Sequence, residues 1–256
     1  MSDILSSKVV VVTGGSSGLG RATAIAAGRH GAAAVIVGDI ADQPNDGGRT
    51  TVSELAAIGV AAQFVCADVT RRADVDDLVA SSEAYGGVDV MVANAGITVE
   101  LDNAHVCEPD FERLMNVNLK GVLFSAQSAA TQMKSRGKRG SIVLMGSMGG
   151  IAGSGMTVAY SASKGGVVML AKALSDALGP DGIRVNCVCP GMIDTRLLRE
   201  TPGVAAAVEG FEARTPLRRV GQPSEVGDAI AWLGSNLSSY VTGISLLVDG
   251  GLLSVI

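Results

Sequence analysis

The segment KVVVVTGGSSGLGRATAIAA, residues 8–27, limits the possible fold more than any other part of the chain. Its four valines predict a buried strand, and its alanine-rich end predicts a helix. Gly14 can adopt the backbone angles of a sharp turn, Gly18 leaves room for a ligand, and Gly20 allows close packing. The start of the helix then offers unpaired N–H groups to an anion such as a pyrophosphate. The segment therefore predicts a strand–turn–helix unit that binds the phosphates of a nucleotide.

Six further apolar runs alternate with helical segments along the rest of the chain. Several of these runs are apolar throughout, which is typical of strands buried on both faces of a parallel sheet. The predicted strands are Val9–Val12, Val35–Gly38, Gln63–Ala67, Val88–Ala93, Ser141–Met145, Arg184–Val188 and Ser245–Val248. The predicted helices are Arg21–His30, Asp74–Ala84, Asp110–Lys134, Ala159–Leu178 and Pro223–Ser235. The pattern predicts an α/β fold, with a single domain and a Rossmann-type doubly wound parallel sheet of about seven strands.

Residues 192–220 break this alternation with a connection that is too long for an ordinary loop and has a weak helical pattern of its own. Long insertions in compact domains are often lids or binding loops. We therefore expect a substrate lid at about 192–220 within one dinucleotide-binding and catalytic domain, 1–256. A surface excursion without a role in binding is the alternative.

Composition and charge exclude several classes of function. The net charge is −5 and no long Lys/Arg run occurs, so a nucleic-acid partner is not expected. No apolar run approaches the roughly 18 residues of a membrane span, and the first residues lack a signal pattern. Cys187 and Cys189 lie two apart on one face of a predicted strand and are poorly placed to bridge, and the two histidines give little support to a metal site. A cytoplasmic protein with reduced thiols and no metal is expected.

Seven short motifs resemble those of the short-chain dehydrogenase/reductase family, in its form of about 250 residues. They occur in the order typical of the family, with thirteen residues from Ser147 to Tyr160. One departure is Ala93, which stands where the family has the first Asn of N-N-A-G. The motifs are TGGSSGLG (13–20), ANAG (93–96), NVNLKG (116–121), MGS (145–147), YSASK (160–164), PGMIDT (190–195) and VDGG (248–251). Together they are spread over almost the whole chain, from residue 13 to residue 251, and imply a nicotinamide-dependent oxidoreductase.

The resemblance implies four catalytic residues, and two of them also follow from local chemistry. Tyr160 and Lys164, at i and i+4, share one helix face, and a nearby ammonium lowers the pKa of a phenol. Tyr160 is therefore expected to act as acid and base, with Lys164 tuning its pKa. The resemblance implies that Lys164 also binds the ribose. Ser147 is expected to stabilise the substrate oxygen. By resemblance Asn118 holds a water in a proton relay, with Asn116 as its local rival.

Asp39 predicts NAD as the cofactor. It ends the second predicted strand, nineteen residues beyond Gly20, where a carboxylate can accept hydrogen bonds from the adenine ribose and repel a 2′-phosphate. Relatives that use NADP usually carry a basic residue in the glycine loop or after strand two, where this chain has Ser17 and Ile40. NADP remains open because Arg49 could fold back towards this position.

The remaining cofactor contacts are implied by motif position. Asp68 and Val69 correspond to the adenine-contacting pair of the family, and Ile193 and Thr195 are placed to bind the carboxamide, Ile193 through its backbone. The full predicted set is Gly14, Ser16, Ser17, Gly18, Leu19, Asp39, Asp68, Val69, Asn94, Ala95, Gly96, Tyr160, Lys164, Pro190, Gly191, Ile193 and Thr195.

The sequence thus predicts reversible hydride transfer between NAD and a secondary alcohol or its ketone. A sugar or polyol dehydrogenase and a 3-oxoacyl carrier-protein reductase are the alternatives within the family. A catalytically idle, NAD-binding regulatory protein is the alternative outside it. By resemblance, the expected partners are a small alcohol or ketone and three further copies of the chain in a homotetramer.

Overall fold

The computed structural model describes residues 3–45, 47–98, 105–200 and 208–255, without the side chains of residues 197 and 200. Seven parallel strands form one sheet in the order β3-β2-β1-β4-β5-β6-β7. They are β1 (Val9–Thr13), β2 (Ala34–Asp39), β3 (Ala61–Cys66), β4 (Val90–Ala93), β5 (Ser141–Met145), β6 (Arg184–Pro190) and β7 (Ser245–Val248). This confirms the predicted fold class.

The helices cover both faces of the sheet. They are α1 (Gly18–Arg29), α2 (Thr51–Ala57), α3 (Arg72–Ser81), α4 (Glu108–Met115), α5 (Val122–Ser135), α6 (Gly149–Ala152), α7 (Val158–Leu178), α8 (Arg196–Glu200), α9 (Val208–Arg214) and α10 (Pro223–Gly234). Leu78 of α3 and Val167 of α7 belong to one buried cluster, whereas Leu55 of α2 and Ile230 of α10 belong to the other. The sheet is therefore the middle layer of three, which explains why its inner strands are apolar throughout.

Helix α2 was missed in the sequence. It follows a stretch rich in Gly, Pro and Asn, which predicts turns, and it has only seven residues. Its start is fixed by Thr50, whose Oγ1 accepts a hydrogen bond from the Ser53 N–H at 3.1 Å. Thr51 Oγ1 donates to the Gly15 carbonyl at 2.9 Å, so α2 is tied to the glycine loop.

The predicted helix Asp110–Lys134 is interrupted. Between α4 and α5, residues Asn116–Gly121 form a π-helical segment that contains the buried Asn118. The wider turn breaks the regular i, i+4 spacing that the sequence pattern assumes, and such segments frequently mark functional sites.

The order of the strands reverses between β1 and β4, which are neighbours although two strands separate them along the chain. In open parallel sheets ligands bind at such a switch point, beyond the carboxyl ends of the strands. The glycine loop follows β1, and the ANAG motif ends β4, so both lie at this place. Over the residues that the structure describes, no helix is both long and apolar enough to cross a membrane.

Candidate active site

The glycine loop is shaped by three glycines with three different tasks. Gly14 has φ +65°, a conformation that side chains other than glycine rarely adopt. A Cβ at Gly20 would overlap the Gly14 carbonyl oxygen, so α1 can pack this closely on the loop only with glycine there. Gly18 has φ +52° and open space where its Cβ would point. The loop therefore leaves a cradle beside the start of α1 that suits a phosphate group.

Asp39 lies at the end of β2, beside this loop. Its carboxylate accepts hydrogen bonds from the Ser16 N–H at 3.0 Å and from the Ile40 N–H at 2.8 Å. Burial raises the pKa of the Asp39 carboxyl, and the backbone N–H groups of Ser16, Ile40 and Ala41 oppose that rise. The Asp39 side chain is therefore held in a fixed orientation at the glycine loop.

One cavity of about 1280 Å³ runs from this loop to the helix that carries the YSASK motif. Its size suits a ligand as large as a dinucleotide. The predicted cofactor residues that line it are Gly14, Ser17, Gly18, Leu19, Asp39, Asp68, Val69, Asn94, Ala95, Gly96, Tyr160, Lys164 and Thr195. The shape, the glycine cradle and the carboxylate at the ribose position together fit a nicotinamide dinucleotide.

Four of the predicted cofactor residues are not part of this lining: Ser16, Pro190, Gly191 and Ile193. Ser16 Oγ is buried without a hydrogen-bond partner. The Pro190 carbonyl accepts a hydrogen bond from the Met148 N–H at 2.9 Å, and the Gly191 N–H donates to the Val248 carbonyl at 3.0 Å. Pro190 and Gly191 thus use these groups to connect β6 with its neighbours, while their cofactor contacts stay predictions.

Tyr160 and Lys164 line the other end of the cavity, and Ser147, which is outside the lining, lies beside Tyr160. Ser147 follows β5 directly, while Tyr160 and Lys164 lie one turn apart on α7. The hydroxyls of Ser147 and Tyr160 share a hydrogen bond. Lys164 Nζ lies 5.7 Å from the centre of the Tyr160 ring and donates to the Met145 carbonyl at 2.8 Å. The arrangement can hold an oxygen atom of a substrate and exchange a proton with it.

The expected lowering of the Tyr160 pKa is wrong for the protein alone. Burial of the phenol raises its pKa, and the hydrogen bond with Ser147 only partly opposes that rise. Burial also lowers the pKa of Lys164 to about 8. The physical reason is the same for both groups, because removal from water disfavours the charged form of each.

Asn118 contacts the loop after β4 rather than the Lys164 amine. Its Oδ1 accepts from the Ile97 N–H at 2.8 Å, and its Nδ2 donates to the Ile97 carbonyl at 2.9 Å. The same Nδ2 lies 3.3 Å from Ser163 Oγ, which itself donates to the Tyr160 carbonyl at 2.7 Å. Asn118 thereby joins the β4 loop to α7, and its part in a proton relay stays a prediction.

Cys187 and Cys189 lie under the end of the cavity that holds the predicted catalytic residues Tyr160 and Lys164, named here the catalytic end. Their sulfurs are 3.6 Å apart, both side chains are buried, and neither forms a disulfide, as expected. A Cβ at Gly146 would lie 2.5 Å from Cys187 Sγ and 2.8 Å from Cys189 Sγ, so glycine is needed there. The hydrogen bond between the sulfurs raises the pKa of Cys187 and lowers that of Cys189.

Several residues at the site were missed in the sequence. Thr13 Oγ1 accepts hydrogen bonds from the N–H groups of Asn94 and Ala95 at 3.0 and 3.1 Å, which joins β1 to β4. The cavity also has Asn45 and Arg196 in its lining, in addition to Arg113, Asn116 and Lys120. Thr13 could have been found as the first letter of its motif, but no local signal marks Asn45 or Arg196.

The two ends of the expected lid are joined by an isolated β-bridge. Ile193 pairs with Gly221, and the Asp194 N–H donates to the Gly221 carbonyl at 2.9 Å. The described part of the excursion contains α8 and α9, whereas its residues 201–207 lie outside the described residues. Thr195 and Arg196 bring the beginning of the excursion to the cavity. Covering of a substrate by this segment stays a prediction.

Comparisons with known proteins show the family of the chain. A family model described as Enoyl-(Acyl carrier protein) reductase matches residues 14–253. The L-rhamnose 1-dehydrogenase (NAD(P)(+)) of Azotobacter vinelandii is 38% identical over 97% of this chain and 98% of its own length. The 3-oxoacyl-[acyl-carrier-protein] reductase FabG of Thermotoga maritima is 38% identical over 97% of this chain and 98% of its own length. A solved structure of a short-chain type dehydrogenase/reductase from Mycobacterium marinum, 34% identical, gives a TM-score of 0.88 and covers 97% of this chain and 96% of its own. The chain therefore belongs to the short-chain dehydrogenase/reductase family.

Proposed function

We propose that the protein is an NAD-dependent dehydrogenase that interconverts a secondary alcohol and its ketone. The observation that carries the proposal is that Tyr160 and Lys164 line one end of a cavity whose other end is the glycine loop. Ser147 lies outside that lining, at the Tyr160 phenol. Asp39, fixed at that loop, supports NAD rather than NADP because its carboxylate would repel a 2′-phosphate.

The chemistry assigns one task to each side chain. A bound nicotinamide supplies the hydride acceptor for oxidation and the hydride donor for reduction. In oxidation, Ser147 holds the substrate oxygen by a hydrogen bond while the Tyr160 oxygen takes the hydroxyl proton. The ammonium of Lys164 favours the phenolate of Tyr160, which burial alone disfavours. Asn118 keeps the loop that carries Ile97 against α7 and so positions this end of the cavity.

A sugar is the second candidate substrate. The L-rhamnose 1-dehydrogenase named above matches almost the whole chain at 38% identity. The hydroxyl at C1 of a pyranose sugar would meet the same Ser147–Tyr160 pair as a simple alcohol does, with a lactone instead of a ketone as the product.

The experiment follows NADH formation by its absorbance at about 340 nm. The substrates are secondary alcohols, cyclic alcohols, L-rhamnose and other aldoses, and each assay is repeated with NADP. A 3-oxoacyl thioester is tested in the reductive direction. We expect turnover with NAD by at least one alcohol or sugar and much less with NADP. NADH binding without turnover of any of these compounds would instead support the regulatory alternative.

We also propose that the protein is a homotetramer. Helix α7 exposes Val158 at 53% and Met169 at 59%, and the chain end exposes Val255 at 61%. Contiguous exposed apolar patches are typical of surfaces that another protein covers. Light scattering after size exclusion gives the mass, and a monomer across micromolar concentrations would contradict the proposal.

A further inference from the structure

The backbone of Asn45 connects the two walls of the cavity. Its N–H donates to Ser17 Oγ in the glycine loop at 2.8 Å. Its carbonyl accepts a hydrogen bond from Arg196 at 3.0 Å, and Arg196 begins α8 on the opposite side. Ser17, Asn45 and Arg196 all line the cavity. A chain of two hydrogen bonds therefore crosses the cavity from the glycine loop to the proposed lid.

The segment that contains Asn45 is held to the glycine loop by contacts from two directions. Arg21, on α1, donates to the Arg49 carbonyl at 2.6 Å and forms an ion pair with Glu54 on α2 at 2.6 Å. Thr51 donates to the Gly15 carbonyl at 2.9 Å. The segment from β2 to α2 is thus an extension of the nucleotide-binding wall. Opening of the hydrogen-bonded connection across the cavity therefore requires Arg196 to move.

The charge of Arg196 fits the ligand that the proposed function places here. The diphosphate of a dinucleotide is an anion, and the cradle of the glycine loop lies on the same cavity as the Arg196 guanidinium. A guanidinium has five donors in a planar fork, so it can hold a carbonyl and a phosphate oxygen together.

We propose that Ser17, Asn45 and Arg196 form a latch that holds α8 across the cavity and retains the diphosphate of the bound dinucleotide. The inference rests on the proposed function and adds a residue, Arg196, that sets how fast the dinucleotide leaves. When Arg196 holds both the Asn45 carbonyl and a phosphate oxygen, release requires that both contacts break. Loss of the latch therefore accelerates release more than it slows binding.

The test measures NADH release by stopped-flow fluorescence, with excess ADP-ribose to occupy the emptied site. Arg196→Ala is compared with wild type and with Arg199→Ala, a matched control on the same helix whose guanidinium pairs with Asp194 at 2.6 Å. Because Arg196 is exposed, its replacement leaves the core intact. We expect release from Arg196→Ala to be about tenfold faster, equivalent to about 1.4 kcal/mol, with Arg199→Ala like wild type.

The affinity for adenosine, which has no diphosphate, distinguishes the loss of a diphosphate contact from general damage to the binding site. We expect the affinity for adenosine to be the same in wild type and Arg196→Ala, whereas the affinity for ADP-ribose falls. Equal NADH release from Arg196→Ala and wild type would overturn the latch, and so would equal losses of adenosine and ADP-ribose affinity. A wild type that binds NADH but turns over no substrate would contradict the proposed function and leave the latch standing. A wild type that does not bind NADH would contradict both.

Discussion

The two ends of the cavity are built in opposite ways. At the glycine loop, the shape comes from missing side chains, since Gly20 lies against the Gly14 carbonyl and Gly18 leaves open space. At the catalytic end, the shape comes from buried polar side chains, since Asn118 and Lys164 each spend hydrogen bonds on backbone carbonyls. The first end is therefore sensitive to added atoms, and the second end to the loss of hydrogen-bonding groups.

Removal of one oxygen atom from the catalytic end has the largest expected effect. Tyr160→Phe keeps the ring but has no proton to exchange, so we expect turnover to fall about a thousandfold. NADH affinity, measured by fluorescence titration, is expected to stay within about threefold of wild type. Tyr240→Phe, at a fully exposed tyrosine, is the matched control and is expected to be fully active. Near-normal turnover by Tyr160→Phe would refute the assigned mechanism.

Addition of one carbon atom to the glycine loop comes next. In Gly20→Ala the new methyl group overlaps the Gly14 carbonyl, so we expect the free energy of unfolding to fall by about 3 kcal/mol. In Gly18→Ala the methyl group meets only open space, so the fall is limited to about 1 kcal/mol from the positive φ. The Gly18 variant is expected to lose NADH affinity instead. Urea unfolding and NADH titration of both variants check this contrast, and equal stabilities would contradict it.

The charge of Asp39 tests whether the glycine-loop end also selects the cofactor. Asp39→Asn keeps an oxygen that can accept from Ser16 but removes the negative charge. We expect the ratio of kcat/KM with NAD to kcat/KM with NADP to fall about tenfold, or about 1.4 kcal/mol. Asp42→Asn, in the same connection, is the control. An unchanged ratio for Asp39→Asn would assign the selection to another residue.

The burial of Lys164 is expected to be visible in the pH dependence of stability. The pKa of Lys164 is lowered to about 8, so between about pH 8 and the ordinary lysine pKa near 10.4 the unfolded chain binds more protons than the folded one. Stability therefore rises with pH in that window, by at most about 1.4 kcal/mol per pH unit from this group. Urea midpoints from pH 8 to 10 are expected to show a slope that Lys164→Met lacks and that Lys172→Met, on the same helix, retains. A slope of equal size in Lys164→Met would disprove the assignment.

The two ends also differ in how far the sequence could predict them. The strands and the glycine loop depend on neighbours along the chain, so valine runs and glycine spacing were sufficient to predict them. Asn118 bonds with Ile97, 21 residues away, and Arg196 bonds with Asn45, 151 residues away. The residues next to each partner in the sequence give no indication of such distant hydrogen bonds. The pKa of Tyr160 was mispredicted for a related reason, because the sequence shows that Lys164 is near but not how strongly the surroundings of the phenol disfavour its charged form.

The bridge between Ile193 and Gly221 closes the excursion at its base with hydrogen bonds from Asp194 to Gly221 and from Gly221 to Met192, both of 2.9 Å. A loop whose ends are joined in this way can gain or lose residues at a small cost in closure entropy. The sheet and the proposed catalytic residues Ser147, Tyr160 and Lys164 lie outside that closed loop. The range of alcohols that such a protein accepts can therefore diverge during evolution while its stability and its hydride chemistry stay the same.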